Sequence, residues 1–212
     1  LYNYRQAEYN QALPRYFEAY GIQGKLVGDA AEKCKHPLLL RFFCEAYQGC
    51  DVEMVEDIRL GELFDRYWER KIANIAQRME EEYRPERRIE RYLLAIAQRM
   101  LETGQRAIPV TELGTVTGER NIYARDSVYL RILDEDIVLE EELSRQGDER
   151  RVVFVYEEFM EYTMARGLMA KLSDCSEEEI IAEINRLAGD ADAFANILGV
   201  MVYLSIALKK ER

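Results

Sequence analysis

The sequence has little of the chemistry that catalytic sites use most often. His36 is its single histidine, so a Ser-His or Cys-His dyad cannot be assembled anywhere else in the chain. Neither GxxxxGK[ST] nor GxGxxG occurs, so the loops that cradle phosphate groups in P-loop and dinucleotide-binding proteins are missing. Acidic runs are abundant, but such runs are usually solvated faces, and nothing selects a catalytic pair. We therefore predict that this chain is not an enzyme, has no catalytic residue and binds no cofactor by itself.

Cysteine is also scarce, with four residues in a chain of 212. Their spacing does not suggest a disulfide framework, and a chain of this length folds without one, so we predict reduced thiols. A zinc site would need Cys34, His36, Cys44 and Cys50, in the pattern C-x-H-x7-C-x5-C, which differs from the usual zinc spacings. Cys44 lies in an apolar helical stretch, where cysteine packs as a small hydrophobe. We therefore predict no metal site, with zinc at these four residues as the alternative.

Positive charge is in deficit, and a long apolar run is missing. The formal net charge is −11, which repels phosphate backbones and anionic membranes. The longest apolar run, Ala193 to Leu208, is shorter than a membrane span of about 20 residues and contains Asn196 and Ser205. The sequence shows no signal peptide, because its opening, LYNYRQAEYNQ, is polar. We expect a cytoplasmic protein without a nucleic-acid or membrane partner.

The sequence starts at Leu1 rather than at Met, and its apolar run lies near the end. Both features predict that the chain is an excised piece of a longer protein.

What the sequence does contain is helical periodicity, which predicts a mainly α fold. Apolar residues recur at helical spacing in four stretches before residue 102, namely 9–20, 38–47, 60–79 and 89–101. The first ends at Gly21, the second begins at Pro37, and the fourth ends at Gly104. We interpret residues 21–30 as a turn-rich loop and 51–57 as irregular. Pro85 breaks the third helix, and we place the main boundary there.

The stretch after this boundary predicts a winged helix. Residues 87–157 read helix, short helix, helix, strand, turn and strand, the order of a helix-turn-helix core with a β-hairpin wing. Within it, Ile108 and Val110 form a short strand and Thr111 caps a short helix. A third helix covers Ser127 to Asp134, with Val128, Leu130 and Leu133 as its apolar positions. A first wing strand begins at Ile137, and 144–148 form the turn.

The periodicity changes inside the stretch from Arg150 to Lys171. Residues 152–156 alternate as in a strand, and from Tyr156 onward the apolar residues follow helical spacing. A strand therefore runs directly into a helix. Farther on, Ser176 and Glu179 form a capping box for another helix, and Asp190 or Asp192 caps the last one. The predicted domains are a helical subdomain with a connecting helix (1–84), a winged-helix domain (85–157) and the start of a second helical domain (158–212).

Many winged helices bind DNA, but the charges in this one oppose that function. The region 121–136 would present Arg125 and Arg131 to phosphate, together with Asp126 and the acidic run 134–136. The basic stretch from Arg84 to Arg106 is interleaved with glutamates, and we interpret it as a helix flank with i,i+4 ion pairs.

Two segments together resemble the regulatory half of a NACHT-type NTPase of the STAND class. The first is the Pro-led helix 36–44, similar to the Pro-Leu segment that follows the ATPase core in the first helical subdomain. The second follows the spacing of a family motif, Phe-x-His followed by Glu-aromatic, a small residue and Leu. The residues that occupy these positions here are Phe154, Tyr156, Glu161, Tyr162, Ala165 and Leu168. The segment 61–72, GELFDRYWERKI, resembles the helix between these motifs. The resemblance covers nearly the whole chain.

The resemblance implies specific roles for two residues. In this family the Pro packs against the adenine side of bound nucleotide, which assigns an adenine contact to Pro37. The winged-helix His touches the ADP phosphates and holds the protein closed, and Tyr156 occupies that position here. A Tyr hydroxyl donates one hydrogen bond but carries no positive charge near neutral pH. Tyr156 therefore has two open interpretations, a phosphate contact or a core aromatic residue.

The resemblance also implies a function. We expect a non-catalytic regulatory part of an intracellular defence or signalling NTPase, which helps to close over ATP or ADP and controls oligomerisation. Its partners would be an NTPase core N-terminal in the same polypeptide and further copies of the parent protein. The alternatives are a winged-helix DNA-binding regulator and a helical protein-interaction scaffold.

Overall fold

A computed structural model describes residues 2–79, 84–142, 150–173, 175–189 and 198–205. The chain divides into two compact units, Leu1–Ala73 and Asn74–Arg212. The described residues are mainly helical, which confirms the predicted mainly α class. The predicted turn at 144–148 and the predicted caps Asp190 and Asp192 lie outside the described residues.

The first unit combines four helices, the last of which runs past its end, with one pair of strands. The elements are α1 (Gln6–Tyr20), β1 (Gln23–Leu26), α2 (Gly28–Lys33), α3 (Pro37–Ala46), β2 (Asp51–Val55) and α4 (Leu60–Ala76). Helix α1 begins well before Pro14 and ends at Gly21, whose φ of 63° is the left-handed conformation that glycine adopts easily. This end agrees with the prediction.

Aromatic packing between α3 and α4 forms the core of this unit. The ring of Phe42 lies edge-on to those of Phe64 and Tyr67, with centroids 4.9 and 4.8 Å apart. Phe43 stacks on Phe17 of α1. These edge-on and stacked geometries suit the ring quadrupoles and add to the free energy gained from burying the rings.

Two predictions for the first unit were wrong. The stretch 21–30, interpreted as a loop, contains β1 and the start of α2, and the irregular stretch 51–57 contains β2. The two strands pair in parallel, with Gln23 opposite Asp51 and Leu26 opposite Val55. Most of their side chains are exposed. β1 has one apolar residue, and β2 alternates polar and apolar residues over only four positions, 51–54, the shortest run that indicates a strand.

The second unit contains the remaining elements. They are α5 (Pro85–Thr103), β3 (Ile108–Pro109), α6 (Val110–Thr117), α7 (Val128–Asp134), β4 (Val138–Glu142), β5 (Arg150–Phe154), α8 (Glu157–Leu172) and α9 (Glu177–Ala188). Residues 198–205 are also helical. Gly104 ends α5 with a φ of 65°, and Ser176 and Glu179 form the predicted capping box of α9.

The sheet of this unit is antiparallel, with the strand order β3-β5-β4. Val152 of β5 pairs with Ile108 on one side and with Glu140 on the other. Val152 and Phe154 are buried, while Arg151 and Val153, which alternate with them along the strand, are partly exposed. One face of the sheet therefore belongs to the core, as the alternating pattern predicts.

Three local predictions for the second unit need correction. Val110 begins α6 instead of extending β3, so Thr111 lies inside the helix and does not cap it. Helix α7 begins after its cap Ser127 as expected, but it buries Tyr129 and Ile132 rather than the predicted leucines. The return strand ends at Phe154, two residues earlier than predicted.

Among the described residues, no helix combines the length and apolar character needed to cross a membrane.

Candidate functional site

Pro37 is the first residue of α3, as the sequence predicts. Its fixed φ suits the first helical turn, where the missing N–H leaves no hydrogen bond unmade. The preceding residue, His36, is extended, and its carbonyl accepts a hydrogen bond from the N–H of Leu40 at 3.0 Å. Pro37 is half-buried, so part of its ring remains accessible at the start of the helix.

Tyr156 lies at the joint between β5 and α8. The last bond of the sheet at this end is donated by the N–H of Val155 to the carbonyl of Ile137, at 3.0 Å. Tyr156 itself is extended, and its carbonyl accepts the N–H of Met160 in the first turn of α8, at 3.0 Å. Its hydroxyl oxygen is buried. Pro37 belongs to the first unit and Tyr156 to the second.

An open groove of about 590 Å³ lies beside this joint in the second unit. Ala107 and Val153 line it, and Phe154, Val155 and Met160 contribute further apolar surface. Its volume is within the range of small-molecule pockets in proteins. The groove is therefore a concave surface lined by residues on both sides of the predicted nucleotide-contacting residue.

Two ion pairs line the groove. Arg106 binds Glu157 at the start of α8, and Arg151 binds Glu141 across the β4–β5 pair at 2.8 Å. The four formal charges cancel, so a charged ligand would have to compete with one of the pairs. Among the described residues that line the groove, none has a hydroxyl, thiol or imidazole group.

The sequence did not reveal the pairing of Arg106 with Glu157, because the two residues are 51 positions apart. Nor did it reveal two long-range partners of the basic stretch. Arg88 binds Glu119 at 2.7 Å, and Arg99 binds Glu112 at 2.9 Å, so these two arginines pair with acids on other segments. These ion pairs connect α5 to α6 and to the segment that follows it.

Glu119 does more than pair with Arg88. Its carboxylate also accepts the backbone N–H groups of Val128 and Tyr129, at 2.9 and 3.3 Å. These groups belong to the first turn of α7, where they have no partner within the helix. Glu119 precedes this helix by nine residues, far outside the spacing of a capping box. The sequence pattern therefore did not predict that Glu119 caps α7.

Glu140 holds the strand pair to α7. Its carboxylate accepts the hydroxyl of Tyr129 at 2.7 Å and that of Tyr123 at 3.0 Å, and it binds Arg150 at 2.6 Å. Burial raises the pKa of Tyr129, and the hydrogen bond to Glu140 raises it further. Tyr129 is therefore a neutral donor at physiological pH.

Two of the three cysteines of the first unit, Cys34 and Cys44, are buried and poorly reactive. Cys34 and Cys44 are fully buried, and burial raises the pKa of each thiol to about 12. Both are thiols rather than thiolates near neutral pH, and the thiolate is the form that attacks electrophiles and binds metals. Within the described residues, no group of three or more His, Cys, Asp or Glu side chains is arranged to hold a metal ion.

No protein-family model matches the chain, and no curated protein matches it significantly.

Proposed function

We propose that this chain is a non-catalytic, regulatory part of a STAND-class, NACHT-type NTPase that acts in intracellular signalling or defence. In this proposal an ATPase core precedes the chain in the parent polypeptide. The chain helps to close over the nucleotide, and its release permits the parent protein to oligomerise.

The observation that carries the proposal is the order of elements from α5 to α8. A helix, a short strand, two helices and a strand pair follow one another, and the short strand β3 joins the pair to make a three-stranded sheet. This is the order expected of a winged helix. The last strand then leads into α8 through Tyr156, the position at which the family resemblance puts the phosphate-contacting residue.

The position of Pro37 adds support from the first unit. A proline that opens a strongly apolar helix is one of the two features on which the resemblance rests, and Pro37 is only half-buried. In the proposed parent protein this ring contacts adenine, while the Tyr156 hydroxyl donates to a phosphate oxygen. Because that hydroxyl is buried, we expect the phosphate contact to form only after a local rearrangement.

The decisive test begins with the parent gene. We expect a P-loop and a Walker B acid upstream of residue 1, and ATP hydrolysis by the parent protein. The isolated 212-residue chain should hydrolyse no ATP, because the phosphate-binding loop is not part of it. Turnover by the isolated chain, with its P-loop-free sequence verified, would show that the proposal is wrong.

In the parent protein, the role of Tyr156 is tested by the rate of ADP release. Tyr156→Phe removes only the hydroxyl, so a faster release assigns a phosphate contact to that group. Unchanged release in Tyr156→Phe, together with a loss of stability in Tyr156→Ala, would identify a core aromatic residue instead.

Two results would favour the alternative functions. Absence of a P-loop upstream would favour a helical protein-interaction scaffold. Salt-dependent binding of duplex DNA in the micromolar range or tighter would favour a DNA-binding regulator.

A further inference from the structure

Glu161 is the acid of the Glu-aromatic pair in the sequence motif, and the functions above give it no role. In the structure its carboxyl group lies against Gly199, on the helical segment 198–205. A Cβ atom built on Gly199 would overlap both oxygens and the carboxyl carbon of Glu161. Glycine at position 199 is therefore what leaves room for this carboxyl group.

The segment 198–205 presents one buried side. Val200, Tyr203 and Leu204 are buried, whereas Leu198 and Val202 are about half exposed. The ring of Tyr203 meets that of Tyr162 on α8 edge-on, with centroids 6.0 Å apart. Neighbouring residues of α8, Glu161 and Tyr162, thus contact the segment at two points four residues apart.

Titratable groups from three elements surround the carboxyl group of Glu161. Glu158 lies one turn earlier on α8, Arg106 comes from the connection between α5 and β3, and Tyr203 lies on the 198–205 segment. Burial raises the pKa of Glu161, Arg106 lowers it, and Glu158 raises it. Arg106 already binds Glu157. Burial also raises the pKa of Tyr203, so its hydroxyl is neutral at physiological pH.

We propose that Glu161 and Gly199 form a lock that holds the 198–205 segment on α8, and that the lock loosens when the Glu161 carboxyl group ionises. The segment covers this carboxyl group, and burying a neutral carboxyl group costs less free energy than burying a carboxylate. Detachment of the segment returns the group to water. Attachment is therefore strongest at low pH and weakens as pH rises through the elevated pKa of the attached state. The lock needs neither a nucleotide nor a winged helix, so it stands independently of the proposed function.

The spatial part of the lock is tested with paired substitutions in the full chain. Hydrogen–deuterium exchange of residues 198–205 reports attachment, and exchange in α5 reports global folding. Gly199→Ala places a methyl group where the carboxyl group lies, and we expect exchange of the segment to accelerate about tenfold or more. Gly167→Ala is the matched control, because a Cβ there meets Leu94 at 3.9 Å, an ordinary van der Waals distance.

The double variant Glu161→Ala with Gly199→Ala distinguishes this lock from a general effect of the methyl group. Truncation of Glu161 empties the space that the new methyl group needs, so we expect the double variant to recover most of the lost protection. Protection in Gly199→Ala equal to that of the wild type would overturn the proposal. So would a double variant that exchanges as fast as Gly199→Ala alone.

The ionisation part is tested by pH. After correction for intrinsic exchange rates, protection of the wild-type segment should fall as pH rises above the ordinary pKa of glutamate, about 4.3. Glu161→Gln keeps the shape of the side chain without its charge, so its protection should not fall as pH rises. An equal fall in wild type and Glu161→Gln would assign the pH dependence to another group and overturn this part.

Discussion

Strands β1 and β2 pair in parallel and leave most of their side chains in solvent, whereas β4 and β5 pair antiparallel and β5 buries alternate side chains. The first pair is shaped by backbone geometry. Gly24 has a φ of 123°, and opposite it Glu53 has a φ of 47°, at an irregularity in the register. The second pair is shaped by burial of Val152 and Phe154. The two sheets therefore depend on different properties of the sequence, and substitutions can separate them.

The largest effect is expected at Gly24. An alanine there would be strained at this φ, and its Cβ would lie 2.9 Å from the backbone N and O of Glu53. We expect Gly24→Ala to lower the free energy of unfolding of the first unit by about 3 kcal/mol. Urea denaturation followed by the fluorescence of Trp68, the single tryptophan, measures this loss in the first unit.

Gly49→Ala is the control for this prediction. Gly49 also has a positive φ, 73°, but nothing lies within 4 Å of a Cβ there. It should cost about 1 kcal/mol, the strain without the clash. Equal losses at the two positions would mean that the close approach of β1 and β2 contributes nothing.

The next effect is expected at Val152, which is fully buried at the centre of the antiparallel sheet. Val152→Ala removes two methyl groups from the core and should destabilise the second unit by about 2 kcal/mol. Val153→Ala, on the partly exposed face of the same strand, should cost less than about 1 kcal/mol. Thermal unfolding followed by circular dichroism gives both values, and a larger loss at Val153 would contradict the assigned inner face.

A smaller effect is expected from the pair of Glu141 and Arg151, which lie directly opposite each other on β4 and β5. Glu141→Gln should destabilise the unit by about 0.5 kcal/mol, because this ion pair is partly exposed. The difference from the wild type should shrink in 1 M salt. A difference independent of salt would indicate that Glu141 acts through packing rather than through charge.

The smallest effect is electrostatic and concerns the end of β2. A hydrogen bond from Lys33 lowers the pKa of the exposed Asp57 carboxyl group. The contact therefore persists above the ordinary pKa of aspartate and is lost as pH falls through the lowered value. NMR titration of the Asp57 carboxyl carbon should show this pKa rising in Lys33→Met. An unaltered Asp57 titration would refute the contact.

The comparison also explains what the sequence could predict. The antiparallel strand β5 and the longer helices bury one face each, and this face imposes the period of 2 or 3.6 that a sequence displays. Helix ends were predictable where glycine adopts a positive φ, as at Gly21 and Gly104. Strand β1 buries only Leu26, and β2 buries none of its side chains, so burial imposes little pattern on either sequence.

For the candidate site, the sequence predicted only the local secondary structure. The change of period around Tyr156 predicts a strand that leads into a helix, and the structure contains that joint. The groove beside the joint depends on Arg106 and Glu157, which meet only after folding. Likewise, no local pattern connects Glu161 with Gly199, because the space that they share is created by two helices distant in sequence.

The joint at Tyr156 has a mechanical consequence. Only Val155 and Tyr156 separate β5 from α8, so the strand and the helix form a nearly loop-free arm. With 16 residues, α8 is about 24 Å long at 1.5 Å per residue. A tilt of about 10° at the joint would therefore sweep the far end of the helix through about 4 Å, so the arm converts a small rotation of the sheet into a displacement the size of a side chain.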